Sequence, residues 1–211
     1  MFSRTFECPS CGAPVVQSLP GSRSLVCGYC HQTSHILPGG LSAAGPRQLL
    51  IDYGSAFSAG MEVRIGGRTG RIMGRIRFGY EDGFWDEWYL RYLDSDEEAW
   101  IQEDDGAFVL FRLIRRLDRP VPFGSVRVGT WSDLGGNLQQ EVFVTEKNTA
   151  QIQGGEGELP FRIVPGEQAD FIDAIDAGQL ASIEVLPSES LLFAGVPVPF
   201  DAFERPATAA S

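Results

Sequence analysis

From Gly60 onward apolar and polar residues alternate with a period of two, the pattern of strands that bury one face. Val63 and Ile65 alternate with Glu62 and Arg64, and Gly66-Gly67 then supplies a two-residue hairpin turn. Beyond it Ile72, Gly74, Ile76 and Phe78 alternate with Arg71, Met73, Arg75 and Arg77. Glu81-Asp82-Gly83 turns the chain into an aromatic-rich strand at 85–93, well suited to a pleated surface. The acidic turns at 94–97 and 104–106 bound two more strands, 99–102 and 107–114. Further on, 126–128, 141–144 and 150–152 read as strands, and Gly154-Gly155-Glu156-Gly157 reads as a turn. Segments 171–176 and 182–185 flank Ala177-Gly178 as a hairpin. Short strands with turn signals about every 8–12 residues predict an all-β fold of small antiparallel barrel or sandwich lobes. The β-rich part is expected over 49–204, with candidate lobes at 57–117 and 118–204, and the 205–211 tail should fray.

The first thirty residues carry a different signal. Cys8, Cys11, Cys27 and Cys30 follow the spacing Cys-x2-Cys-x15-Cys-x2-Cys. Two cysteines separated by two residues share one tight turn, so both sulfurs can reach a single ion about 2.3 Å away. Two such turns form a closed tetrahedral shell with no open position, which predicts structural Zn²⁺; iron fits the same shell. Between the turns, 14–17 and 24–26 are expected to form a hairpin, with a third strand at 34–37. Residues 6–37 resemble the zinc-ribbon (rubredoxin-like knuckle) family, departing from it where His31 follows Cys30 in place of a more usual glycine. The ribbon is assigned to 1–37, and the Gly- and Pro-rich stretch 38–48 is expected to be a linker.

Composition narrows the function classes. The 211 residues are 43% apolar and 21% charged, as expected of a globular chain with a real core. The net charge is −11, spread as +2 over 1–50, −4 over 51–117 and −9 over 118–211. Such a field repels phosphate backbones unless a local basic patch overrides it. No apolar run approaches the ~20 residues of a spanning helix, and the start shows no basic leader before an apolar core. A cytoplasmic location follows as the expectation, and reduced thiols there favour metal over disulfides.

The run 74–102, with Trp85-Asp86-Glu87-Trp88 and later Ala99-Trp100-Ile101-Gln102, resembles the bacterial domain-of-unknown-function family numbered 4178. Gly157-Glu158-Leu159-Pro160, Ser182-Ile183-Glu184 and Phe193-Ala194-Gly195 add to the likeness, which covers about residues 57–204. The resemblance implies a bacterial membrane-stress context and no established activity.

Chemistry is sparse outside the cysteines. The two histidines, His31 and His35, both lie in the ribbon, no phosphate-binding Gly-x4-Gly-Lys loop occurs, and Lys147 is the single lysine. The acids from Asp86 to Asp105, notably Glu87 and Glu103, are candidates for carboxylate catalysis, though they read first as solvated turns and strand edges of an acidic protein. Arg71, Arg75 and Arg77 beside Trp85, Glu87, Trp88 and Trp100 are the candidate partner-binding strip, since arginine beside aromatic rings is enriched in interfaces. The reading is a non-enzymatic, zinc-containing binding or adaptor protein with a protein partner, no nucleic-acid binding and no direct membrane insertion. The alternatives are a nucleic-acid-binding zinc-ribbon protein, or a carboxylate-based enzyme of unknown substrate.

Overall fold

The structure is a computed structural model that describes residues 2–81, 83–117, 120–133, 141–185 and 190–204. The 205–211 tail, expected to fray, lies outside them. Apart from two single 3-10 turns, every regular element among the described residues is a strand, so the all-β expectation holds. No helix among them is long and apolar enough to cross a membrane.

In the ribbon, β1 (Arg4–Glu7) pairs antiparallel with β2 (Pro14–Gln17). β3 (Ser24–Val26) pairs with β4 (Thr33–Leu37), and β4 with β5 (Gly40–Ala43). The hairpin expected between 14–17 and 24–26 therefore does not form, because each strand takes another partner. The stretch 38–48 is also more than a tether. It carries β5, and Ala44 just after that strand is buried. Small residues suggest flexibility in a sequence, yet a backbone ladder needs no large side chain.

After the β6 (Glu62–Ile65) hairpin come β7 (Arg68–Tyr80), β8 (Gly83–Tyr92), β9 (Glu98–Asp104) and β10 (Ala107–Leu117). The short β11 (Trp131–Ser132) leads to β12 (Val142–Leu159), β13 (Gln168–Asp176), β14 (Gln179–Val185) and β15 (Ser190–Pro197). Going round, β7-β8-β9-β10-β15-β14-β13-β12 are paired neighbours, and β12 pairs back onto β7. The result is a closed eight-stranded antiparallel barrel, to which each half of the β-rich sequence contributes four strands. The segments 141–144 and 150–152 belong to one strand of 18 residues, β12, and Gly154-Gly155-Glu156-Gly157 lies within it instead of turning the chain. Those glycines serve close approach. A Cβ on Gly74 of β7 would stand 2.6 Å from the Glu156 carbonyl oxygen, and one on Gly157 would collide with the Met73 carbonyl oxygen. Only bare backbone lets the two strands close the barrel here. Residues 126–128 form no strand; they follow the 3-10 turn Phe123–Ser125, and Val126 packs outside the barrel.

Alternation sorts the core into inner and outer layers. Ile76, Phe78, Trp85, Tyr89, Trp100, Leu191 and Phe193 point inward, with Ile152 and Leu159 of β12. Outside, Ile72, Trp88, Leu90 and Ile101 pack under Phe57 and Phe108. Leu117, Val144, Ile172, Ile183 and Leu192 pack under Val121 and Val126. The ribbon docks by extending the β-structure: Leu25 and Ser24 of β3 pair with Glu158 and Leu159 of β12.

Candidate functional site

The two cysteine turns are built alike. In the first, the Gly12 N–H donates to the Cys8 carbonyl at 2.9 Å with Gly12 at φ 74°. In the second, the His31 N–H donates to the Cys27 carbonyl at 2.9 Å, and His31 takes the left-handed φ of 58°. The histidine found where a glycine is usual thus adopts the glycine conformation. Cys8 and Cys30 bring their sulfurs to 3.7 Å, Cys11 and Cys27 to 3.8 Å, and all four lie within 4.8 Å of one another. A tetrahedron with sulfurs about 2.3 Å from its centre has edges of about 3.8 Å, so the cluster fits one tetrahedral thiolate-bound ion. No disulfide links the four, and these separations are far beyond an S–S bond. They form a site able to hold a metal ion.

Beside the β3–β12 pairing, one carboxylate gathers several ribbon donors. Glu158, buried at 5% exposure, accepts from the Ser18 N–H at 2.9 Å and the Leu19 N–H at 2.8 Å. The Ser18 and Ser22 hydroxyls donate to it as well, each at 2.5 Å. Nearby, the Ile163 N–H donates to Ser24 Oγ at 3.2 Å, and His35 Nε2 meets the Ile163 carbonyl at 3.1 Å. Neither sequence pattern nor spacing pointed to Glu158 as an anchor; its place in the Gly-Glu-Leu-Pro run was the one signal.

The arginine strip is not a surface. Arg75 and Arg77 are 3% and 2% exposed, on the outer face of β7 but beneath the 48–61 segment. Arg77 clasps Asp86 through Nε at 2.8 Å and Nη2 at 2.6 Å, and its Nη1 donates to the Ile51 carbonyl at 2.8 Å. Arg75 meets Asp86 at 3.3 Å, pairs with Glu156 and lies 4.8 Å from the Trp88 ring centre. Two arginines and two carboxylates leave this cluster neutral. Trp88, 1% exposed, donates its indole N–H to Glu103 at 2.8 Å. Only Arg71 stays outside, paired with Glu62. The expected partner strip therefore fails on coverage: alternation tells which side a residue faces, not what lies over that side. The carboxylate pair Glu87 and Glu103 fails similarly, since β8 and β9 direct them to opposite faces.

Trp85, Glu87 and Trp100 are instead brought together inside the barrel. They line a cavity of about 230 Å³ together with Phe78, Phe111, Phe171 and Phe193, and with Asp104, Glu146, Asp170, Asp173 and Glu184. Glu146 stands opposite Asp173, Asp173 opposite Ser182, and Glu184 opposite Phe171, so adjacent strands concentrate these groups. Trp85 stacks on Phe78 at 5.1 Å and meets Phe171 edge-on at 5.1 Å, while Trp100 stacks on Phe161 at 5.4 Å. Burial pushes the Glu87 carboxyl up to about 7, against a hydrogen bond from Trp85 and with the Asp173 charge adding to it. Burial raises Glu184 to about 8, with Glu87 reinforcing and Arg116 opposing the shift. Asp173 rises to about 6, again by burial, opposed by a Ser182 hydrogen bond and helped by Glu146. Asp173 and Glu184 escaped the sequence reading as site residues because they sit on separate strands, far along the chain from Glu87.

A closed antiparallel barrel with an interior cavity, joined to a four-cysteine cluster able to hold a metal ion, defines the class of protein. Residues 58–200 match the family described as Domain of unknown function (DUF4178), and the chain belongs to that family. The match takes in the barrel strands, and its two conspicuous runs have separable jobs here. In Trp85-Asp86-Glu87-Trp88, alternate residues serve the cavity and the buried arginine cluster; in Gly157-Glu158-Leu159-Pro160, the carboxylate anchors the ribbon. No curated protein and no solved structure matches the chain.

Proposed function

We propose that the protein is a non-enzymatic binding protein whose barrel interior holds a small ligand, with a structural Zn²⁺ fixing the ribbon against the barrel. The observation that carries this reading is the cavity among Trp85, Trp100 and Phe171, where aromatic walls stand beside a cluster of polar and acidic groups. A cavity of about 150 Å³ accommodates benzene, so this one has room for a ring and a short substituent. Zinc is favoured by four thiolates in a closed shell, which leaves no position for substrate and suits a folding role. The burial of Arg75 and Arg77 and the net charge of −11 both speak against nucleic acid as the partner. A thermal-shift panel of small aromatic molecules, cationic, neutral and anionic, tests the binding reading. At least one should raise the melting temperature, and Ser182→Phe, which fills the cavity, should abolish that shift. A panel without any shift, or shifts unchanged in Ser182→Phe, would refute it.

A further inference from the structure

The lining of the barrel cavity is lopsided in charge. Six carboxylates face it, Glu87 from β8, Asp104 from β9, Glu146 from β12, Asp170 and Asp173 from β13, and Glu184 from β14. No lysine or arginine is among its described lining residues. Arg116 of β10 acts on Glu184, and both also line a second cavity of about 1110 Å³ toward the ribbon, so one arginine stands against six carboxylates and the balance stays negative. Asp170 accepts from Thr149 Oγ1 at 2.5 Å and Glu87 from the Trp85 indole at 3.1 Å, bonds that leave the surplus negative charge in place. The buried arginines pair elsewhere, with Asp86 and Glu156, on the other side of the barrel wall. Carboxylates crowded into a half-buried, aromatic-walled cavity are costly to ionise together, and a neutral ligand would relieve none of that cost.

A bare metal ion does not suit this arrangement. Among the described residues, only the four cysteines bring three or more ligand atoms within 4.8 Å of one another. The cavity carboxylates form no such group, and much of the remaining wall is aromatic. Indole and phenyl faces attract cations through their quadrupoles, and the ring contacts of Trp85 and Trp100 fix both walls in advance. Resting on the reading of this cavity as a ligand site, we propose that its ligand is a small organic cation, an ammonium carried on a ring or short chain. The ammonium meets Glu87, Asp173 and Glu184, and the apolar part lies against Trp85, Trp100 and Phe171.

The test uses the full-length, metal-loaded protein and three probes with the same ring and chain length: phenethylammonium, phenethyl alcohol and phenylacetate. Binding is read by isothermal titration and by the fluorescence of the cavity tryptophans. Phenethylammonium should bind at least about tenfold more tightly than the alcohol, and phenylacetate should not bind, because the surplus charge is negative. Glu184→Gln and Asp173→Asn should each weaken the ammonium about fivefold or more while leaving the alcohol unchanged. Two variants on different strands guard against one of them failing to fold. Raising the pH from about 6 to about 8 should strengthen ammonium binding alone, since a protonated carboxyl offers no charge to the probe. Equal or tighter binding of the alcohol or phenylacetate would overturn the cation assignment and leave a ligand site standing. Failure of all three probes to bind would overturn both readings.

Discussion

Removing the Glu158 side chain should loosen the ribbon and the barrel together. Its carboxylate collects four donors, two of them the backbone N–H groups of Ser18 and Leu19. A hydrogen bond to a charged group contributes about 1.5–3 kcal/mol, and a buried donor left without a partner loses that much outright. The two serine hydroxyls can rotate toward other acceptors, whereas the two N–H groups are fixed by the chain. Counting the two N–H groups alone, Glu158→Ala should cost about 3–6 kcal/mol. Glu158→Gln keeps one acceptor oxygen but turns an NH2 toward the donors, and should cost about half as much. Equilibrium urea unfolding measures the loss, and hydrogen exchange at Ser18 and Leu19 reports where it falls. A cost below about 1 kcal/mol for Glu158→Ala, or exchange at both amides unchanged, would refute the reasoning, because the carboxylate would then have water for a partner.

Four other outcomes can be checked on the same protein. Cys11→Ser should release the metal, seen by elemental analysis, and lower the melting temperature of the barrel as well as the ribbon, because β3 pairs with β12. Asp86→Ala strands the buried Arg77 guanidinium and leaves Arg75 with Glu156 alone, and should cost about 3–5 kcal/mol in denaturant melts, not the small loss of a surface change. Trp88→Ala should cost a similar ~3–5 kcal/mol as a large core truncation, with loss of near-ultraviolet dichroism. The wild type should lose stability as pH rises through the range from about 4 to about 8. Glu87, Asp173 and Glu184 hold their protons more tightly in the folded state than in the unfolded chain, so the penalty is absent at the acid end and complete above about 8. Glu184→Gln should flatten that decline, and melts at matched ionic strength across the range would show an unchanged slope if the carboxyl were solvated.

Much of this was legible in the chain. Period-two runs broken at Gly66-Gly67, Asp105-Gly106 and Ala177-Gly178 marked the hairpins, and cysteine spacing marked the metal site, because both signals are local. Coverage was not local. Arg75 and Arg77 alternate with Ile76 and Phe78 like outward polar residues, and they do face outward, but Ile51 and Tyr53 lie over Arg77, and Trp88 and Glu156 lie against Arg75. Gly154 to Gly157 looked like a reversal because glycine marks turns and close strand contacts alike. The cavity had one overlooked clue: Glu87 is in phase with Trp85 and Tyr89, so an acid shares the buried face of an aromatic strand. Its companions Asp173 and Glu184 join it only once the barrel closes, and no spacing rule reaches across that closure.

The anchoring of the ribbon by Glu158 has a consequence for the order of events during synthesis. Ser18 and Glu158 are separated by 140 positions. At about 5–20 residues per second, the ribbon waits roughly seven to thirty seconds before its docking strand is made. All four cysteines have been made long before then, and their turns are local, so metal capture needs nothing from the barrel. A loaded ribbon can therefore hold its sulfurs out of reach of oxidation and stray pairing while the chain grows. When β12 arrives, it meets a finished edge at β3, and barrel closure proceeds against a template already in place.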